Sequence, residues 1–207
     1  LFASAMIFLA LAGWHEYTVM MKQKGLQPLN LLGGCLLLAM TGSAWLYGIA
    51  QLTPIIFLAL SVILSMVVLD YNRFVFSDAI YNLLGVIYIG IPFAHFIALR
   101  LLPDSAGVQY FAMAMIGTWA CDTTAYFGGT RWGRHKLCPP ISSAKSVEGA
   151  VFGFLGCIVA SLVTGHYMEL SWIDRLACGS LVGVFCQLGD LVESALKRHM
   201  GVKDSGR

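Results

Sequence analysis

The chain has 207 residues, 58% of them hydrophobic and only 12% charged, with a mean hydropathy of +0.75, whereas soluble domains are about half apolar and about a quarter charged. Thirteen Lys and Arg with eleven Asp and Glu cannot cover a water-soluble fold of this size, which excludes a soluble globular protein and assigns most of the chain to lipid. The net charge of +2 says little alone, because in a membrane protein the loops that carry the charge set orientation.

The sequence opens at Leu1 inside the apolar run LFASAMIFLALAG with no basic segment before it, which reads as a cut helix rather than a signal peptide. At the other end KDSGR is polar and follows a helix, so the chain reads as truncated at both ends. A crossing helix needs about 20 apolar residues, and seven stretches qualify, roughly 1–20, 30–50, 53–70, 78–99, 107–128, 147–167 and 174–196. They predict an all-α polytopic transmembrane bundle forming a single integral membrane domain over residues 1–207. Within the first stretch, Trp14-His15-Glu16-Tyr17 is polar enough to be interfacial or to face a protein interior.

Alternate connections divide the cations unevenly. Lys22, Lys24, Arg73, Arg131, Arg134, Lys136, Lys145, Lys197, Arg198, Lys203 and Arg207 fall on one side and only Arg100 and Arg175 on the other. The positive-inside rule then makes 21–29, 71–77, 129–146 and 197–207 cytoplasmic, and predicts a multi-pass protein of the cell (inner) membrane with its chemistry at the cytoplasmic face. Gly149-x-x-x-Gly153 and Gly179-x-x-x-Gly183 place small faces on the last two spans, argue for close helix packing, and leave room for a homodimer. The six cysteines, Cys35, Cys121, Cys138, Cys157, Cys178 and Cys186, contain no CxxC pair. They read as packing residues rather than a disulfide or zinc framework.

Ionisable residues within spans cost on the order of 2.5–3.5 kcal/mol each and point to function. Asp122 lies near the cytoplasmic end of the fifth stretch, Glu148 opens the sixth, and Asp190 and Glu193 lie in the last turns of the seventh. Asp190, Glu193, Ser194 and Lys197 are spaced to share one helix face, with Arg198 beside them. Glu193 with Lys197 is also the ordinary stabilising i,i+4 pair, whereas Asp190 has no cation of its own in its neighbourhood of sequence. The 129–146 segment combines glycines, Arg131, Arg134, Lys136, Lys145 and the serines 142, 143 and 146 just ahead of a helix start. Such a helix N-terminus suits phosphate, although a basic loop also suits lipid headgroups. Neither GxxxxGK[ST] nor GxGxxG is present.

Acids able to hold a divalent cation, beside cations and hydroxyls able to hold phosphates, fit metal-assisted phosphoryl or nucleotidyl transfer onto a lipid. An anionic phosphate nucleophile needs charge neutralisation and in-line positioning rather than a general base. The histidines, His15, His95, His135, His166 and His199, are scattered, and none has a partner at metal-ligand spacing.

At Ser194-x-x-Lys197-Arg198-x-x-x-x-Lys203-Asp204 the sequence resembles the signature of the phosphatidate cytidylyltransferases, the CDP-diacylglycerol synthases. Gly189-Asp190-x-x-Glu193, Asp122-x-x-Ala125-Tyr126-x-x-Gly129, and the stretch from Gly133-Arg134-His135-Lys136-Leu137 to Ile141-Ser142 resemble further parts of it. The resemblance covers roughly 107–207 well and the earlier spans by hydropathy. It implies a Mg²⁺-dependent membrane enzyme, with a second cation left open, that transfers CMP from CTP to phosphatidic acid and releases pyrophosphate. CTP, phosphatidic acid and the bilayer are its partners, and nucleic acid is not.

The resemblance further implies Asp190, Asp122 and Glu193 as metal ligands, and Asp190, Ser194, Lys197 and Arg198 as catalytic residues. Substrate binding falls to Arg134, Ser142, Lys145, Glu148, Lys203 and Asp204. After Ser142 the family has Pro and then Lys-Lys-Thr-Trp-Glu-Gly, where this chain has Ser143-Ala144-Lys145-Ser146-Val147-Glu148-Gly149. The family signature also continues past Lys-Asp into a His-Gly-Gly segment and an Asp-Arg-x-Asp, so low activity is expected of these 207 residues alone. The alternatives are a CTP-dependent transferase acting on another lipid or isoprenoid phosphate, and, in a different class, an ion or solute transporter using Asp122 and Asp190. Midplane broken helices would mark the transporter, but these acids lie near one face.

Overall fold

The computed structural model describes residues 1–103 and 105–202. A helix stands at every predicted span: α1 Phe2–Gln23, α2 Asn30–Tyr47, α3 Leu52–Leu69, α4 Phe76–Arg100, α5 Ala106–Trp132, α6 Val147–Tyr167 and α7 Trp172–His199. The apolar stretch Asn30–Leu69, together with Phe76–Arg100, Val147–Tyr167 and Trp172–His199, is long and apolar enough to cross a membrane. The first of these is two helices, separated by a 3₁₀ turn at Gly48–Gln51. Gly48 enters that turn at φ +69, a conformation that costs glycine nothing. α1 and α5 have the length but carry His15 and Glu16, or Asp122 to Thr124, within them. This is an all-helical membrane protein with one addition that the sequence pattern does not announce. Within the basic 129–146 segment, β1 (Lys136–Cys138) and β2 (Ser142–Ser146) form a small antiparallel hairpin, pairing Lys136 with Ser146 and Cys138 with Ser142.

The described residues form two compact units, 1–103 and 105–107 with 200–202, and 108–199. In the first, α1 runs antiparallel to α4. Arg100 lies 5.9 Å over the Phe2 ring, and Tyr17 donates from its hydroxyl to the Tyr81 carbonyl at 2.8 Å. The polar Trp14–Tyr17 stretch thus splits by face. Trp14 and Tyr17 are buried and stacked at 5.8 Å, while His15 and Glu16 are exposed. The Trp14 indole fills the space that a side chain at Gly33 would need, Tyr17 does the same at Gly85, and Trp14 Nε1 donates to the Asn30 carbonyl at 3.0 Å.

α1 ends in a Schellman turn. The amide of Gly25, at φ +80, donates to Lys22 O at 2.9 Å, and that of Leu26 to Met21 O at 3.0 Å. The strand of chain that follows is strapped to α4 by two buried residues. Asp78 accepts from the amides of Gln27 at 2.9 Å and Val75 at 3.0 Å. Asn82 accepts from Leu29 N at 2.7 Å and donates to the carbonyls of Gln27 at 2.9 Å and Asp78 at 2.8 Å.

In the second unit glycines set the helix spacing. Side chains at Gly149, Gly153 and Gly156 of α6 would collide with Ala125, Cys121 and Thr124 of α5, and at Gly179 and Gly183 of α7 with Ser161, Cys157 and Phe154 of α6. Both glycine pairs singled out in the sequence are therefore contact faces within this unit. Trp132 stacks on Phe152 at 5.0 Å and closes the end of the α5–α6 contact.

Asn82→Ala leaves the Leu29 amide and the Gln27 carbonyl without their buried partner, at a cost of about 2–4 kcal/mol. A clear drop in the thermal unfolding midpoint of the detergent-solubilised protein is expected, larger than for alanine at an exposed polar position such as Ser65.

Candidate functional site

A cavity of about 430 Å³ opens within the second unit, lined by the last turns of α5 and α7, the hairpin, and the first turn of α6. Its volume falls in the range of small-molecule sites, about 300–1,000 Å³. Asp122, Ala125, Tyr126, Gly129 and Thr130 come from α5, Leu137 from β1, Ala144, Lys145 and Ser146 from β2, Gly149 and Ala150 from α6, and Gln187, Asp190 and Leu191 from α7. Cys121 and Cys186 complete the lining.

Each wall follows from local sequence. Ser146 caps α6 by accepting from the Gly149 amide at 3.1 Å, which fixes where β2 ends and the helix begins. Gly129 and Gly149 meet closely enough that a Cβ on Gly149 would lie 3.1 Å from Gly129 Cα, so the hairpin's two ends are drawn together over the cavity. The Gln187 amide donates to Ala150 O at 3.1 Å and Gly183 O at 3.0 Å, tying α7 to α6 beside the pocket.

Of the residues singled out in the sequence, Asp122, Lys145 and Asp190 line this one cavity. Lys145 forms an ion pair with Asp190, so the aspartate without a cation nearby in sequence receives one from the hairpin. The Lys145 ammonium is shielded from solvent and lacks an aligned hydrogen-bond acceptor, although an ammonium has three donors to satisfy. Asp122 lies within coulombic reach of both Asp190 and Lys145.

The remaining candidates are arranged around this centre. Glu148, in the first turn of α6, accepts from the Arg134 amide at 3.1 Å and from the His135 amide at 3.2 Å, and pairs with His135 Nδ1 at 2.6 Å. Its carboxylate is therefore committed to the chain entering the hairpin, in the favourable field of a helix N-terminus. Glu193 pairs with Lys197 at 2.5 Å, the i,i+4 alternative that the spacing allowed. Arg198 donates from Nε to the Ile141 carbonyl at the hairpin tip, 3.3 Å away. Ser142 opens β2, Arg134 is exposed, and Ser194 is half-buried on α7. Lys203 and Asp204 lie outside the described residues.

Sequence reasoning passed over Gln187, which stands three residues before Asp190 and so on its face, a spacing that was available. It also could not pair His135 with Glu148, because that contact depends on the hairpin's fold.

The profile of the cytidylyltransferase family matches residues 1–207. Among curated proteins, the phosphatidate cytidylyltransferase of Staphylococcus haemolyticus is 42% identical over 149 residues, 70% of this chain and 55% of that protein. Those of Staphylococcus epidermidis and Staphylococcus aureus are 44% and 42% identical over the same shares. The chain thus spans about half the length of the curated relatives it matches.

Because Glu148 holds the 134–135 backbone, Glu148→Ala is expected to speed tryptic cleavage between Arg131 and Lys136 about tenfold through local opening. Glu148→Gln, which keeps an acceptor, should fall between the two. Cleavage-site mapping by mass spectrometry checks both.

Proposed function

Because the chain belongs to the cytidylyltransferase family, we propose that its pocket transfers the CMP unit of CTP to phosphatidic acid, the substrate carried in its relatives' names. A phosphate oxygen of phosphatidic acid attacks the α-phosphorus of CTP. As that P–O bond forms, the bond from the α-phosphorus to its bridging oxygen breaks, and pyrophosphate leaves with the electron pair. The products are CDP-diacylglycerol and pyrophosphate. The attacking oxygen is already anionic, so the pocket's task is to gather negative charge and hold the reactants in line.

The observation that carries this reading is the meeting of Asp122, Asp190 and Lys145 in one cavity. Lys145 offers a desolvated ammonium with unsatisfied donors. When CTP enters, it exchanges the Asp190 carboxylate for triphosphate oxygens, which frees Asp190. Arg198 and Lys197, on the last turn of α7, extend the positive rim toward the phosphates.

Two carboxylates lining one cavity also fit Mg²⁺, which takes one or two protein carboxylates and completes its octahedron with water and phosphate oxygens. Asp122 and Asp190 would hold it, and when bound it supplies charge neutralisation on the phosphates. The uneven division of Lys and Arg over the loops supports placing this site at the cytoplasmic face of the cell membrane, where both a soluble nucleotide and a bilayer lipid have access.

The test is incorporation of labelled CTP into lipid by membranes containing the natural full-length protein. Asp190→Asn is expected to lower the Mg²⁺-dependent rate on the order of 10²–10³-fold, and Lys145→Met to raise the KM for CTP. Full activity in Asp190→Asn would remove Asp190 from the metal centre, and label appearing in a lipid other than CDP-diacylglycerol would reassign the acceptor.

A further inference from the structure

One helical turn from Asp190, toward the start of α7, the cavity changes chemical character. Cys186 of α7 meets Cys121 and Asp122 of α5 there, and the two sulfurs and a carboxylate oxygen all lie within 4.8 Å of one another. Among the described residues this is the one such group of three metal-ligating side chains. Cys121 is buried, Cys186 half-buried and Asp122 exposed, so the sulfurs lie behind a carboxylate entrance. Both thiols are free. The neighbouring Cys157, which also touches Cys121, donates to the Gly117 carbonyl at 3.2 Å.

Two sulfurs with one carboxylate do not suit Mg²⁺, which demands oxygen ligands at about 2.0–2.1 Å. They suit zinc and its heavier congeners, with sulfur at about 2.3 Å and carboxylate oxygen at about 2.0–2.2 Å. A tetrahedron on those bonds has ligand-to-ligand edges of about 3.4–3.8 Å. The present spacing closes to that with side-chain movements of about 1 Å, a small rotation about χ1.

We propose that Cys121, Asp122 and Cys186 bind one thiophilic divalent cation of the zinc and cadmium class, and that its binding withdraws Asp122 from the catalytic centre. On binding, each thiol gives its proton to bulk water, two sulfur–metal bonds form, and no oxidation state changes. The fourth position is open to water or a phosphate oxygen. Binding rests on the geometry of the three side chains; the inhibition rests in addition on the CMP-transfer reading above.

The natural full-length protein in detergent is titrated with Cd²⁺ alone, without nucleotide. A sulfur-to-cadmium charge-transfer absorption saturating at one ion per chain is expected, displaced by Zn²⁺ and not by a large excess of Mg²⁺. Cys186→Ser should weaken it more than about tenfold, beyond the lower bound for losing even an outer-shell partner, and Cys178→Ser on the same helix should leave it unchanged. In the unsubstituted protein, Zn²⁺ should protect Cys186 from maleimide while exposed Cys35 still reacts, a measurement that does not depend on a variant folding. No absorption band, or a band undiminished in Cys186→Ser with Cys186 unprotected, overturns the site.

In the CMP-transfer assay, each protein is normalised to its own rate without added Zn²⁺. Cys186→Ser should then need at least about tenfold more Zn²⁺ for half-inhibition. Cadmium binding without inhibition overturns the link to Asp122. An absence of CMP transfer in every preparation strikes the catalytic reading instead, and the absorption titration still decides the cation site.

Discussion

Gly149, Gly153 and Gly156 lie along one side of α6, and the α5 backbone and small side chains occupy the space where their Cβ atoms would be. In a lipid environment, where burial of apolar surface does not drive helices together, such backbone proximity is a main source of attraction. It also fixes the site. The first of these glycines is the donor to the Ser146 cap, so the helix contact, the helix start and the end of β2 are one arrangement. Lys145, one residue earlier, has little choice of direction. A larger residue at Gly149 would push α6 from α5 and carry the ammonium with it.

The few charges divide into two kinds. Glu193 with Lys197, and Glu148 with His135, join groups close to one another around a helix end; such partly exposed pairs contribute little energy but hold a segment in place. Lys145 with Asp190 joins the hairpin to α7 across a cavity. Its ammonium is shielded from solvent while the Asp190 carboxylate stands half exposed, an arrangement suited to exchange, since an incoming polyanion offers the ammonium what the carboxylate offers. The difference is one of reach: two pairs close within or beside one helix end, and the third bridges the hairpin and α7.

The seven helices were legible because each is a long apolar run bounded by polar or glycine-rich chain, and the predicted limits fall within a few residues of those observed. Gly149 and Gly153 were legible as a small face from spacing alone. The hairpin was not. Its strands are three and five residues of Lys, Leu, Cys, Ser and Ala, without alternation, and they pair because Ser146 and Glu148 anchor both ends. For the site, intramembrane acids pointed to Asp122 and Asp190, since polarity in lipid needs a reason. What remained hidden were pairings between distant segments. Lys145 looked like one more cation in a basic loop, and Cys121 and Cys186 looked like packing residues, until folding brought them to the same cavity.

The strap across α4 bears on the order in which the chain is built. The amides of Gln27 and Leu29 take their partners from Asp78 and Asn82, more than 50 residues later. Until α4 has emerged, the segment after α1 has no protein acceptor for these groups and must keep them in water, because hydrocarbon offers none. α1 and α2 can therefore be threaded early, yet they are not locked until α4 arrives, and the buried amide of Asn82 serves as the latch for the first half of the molecule.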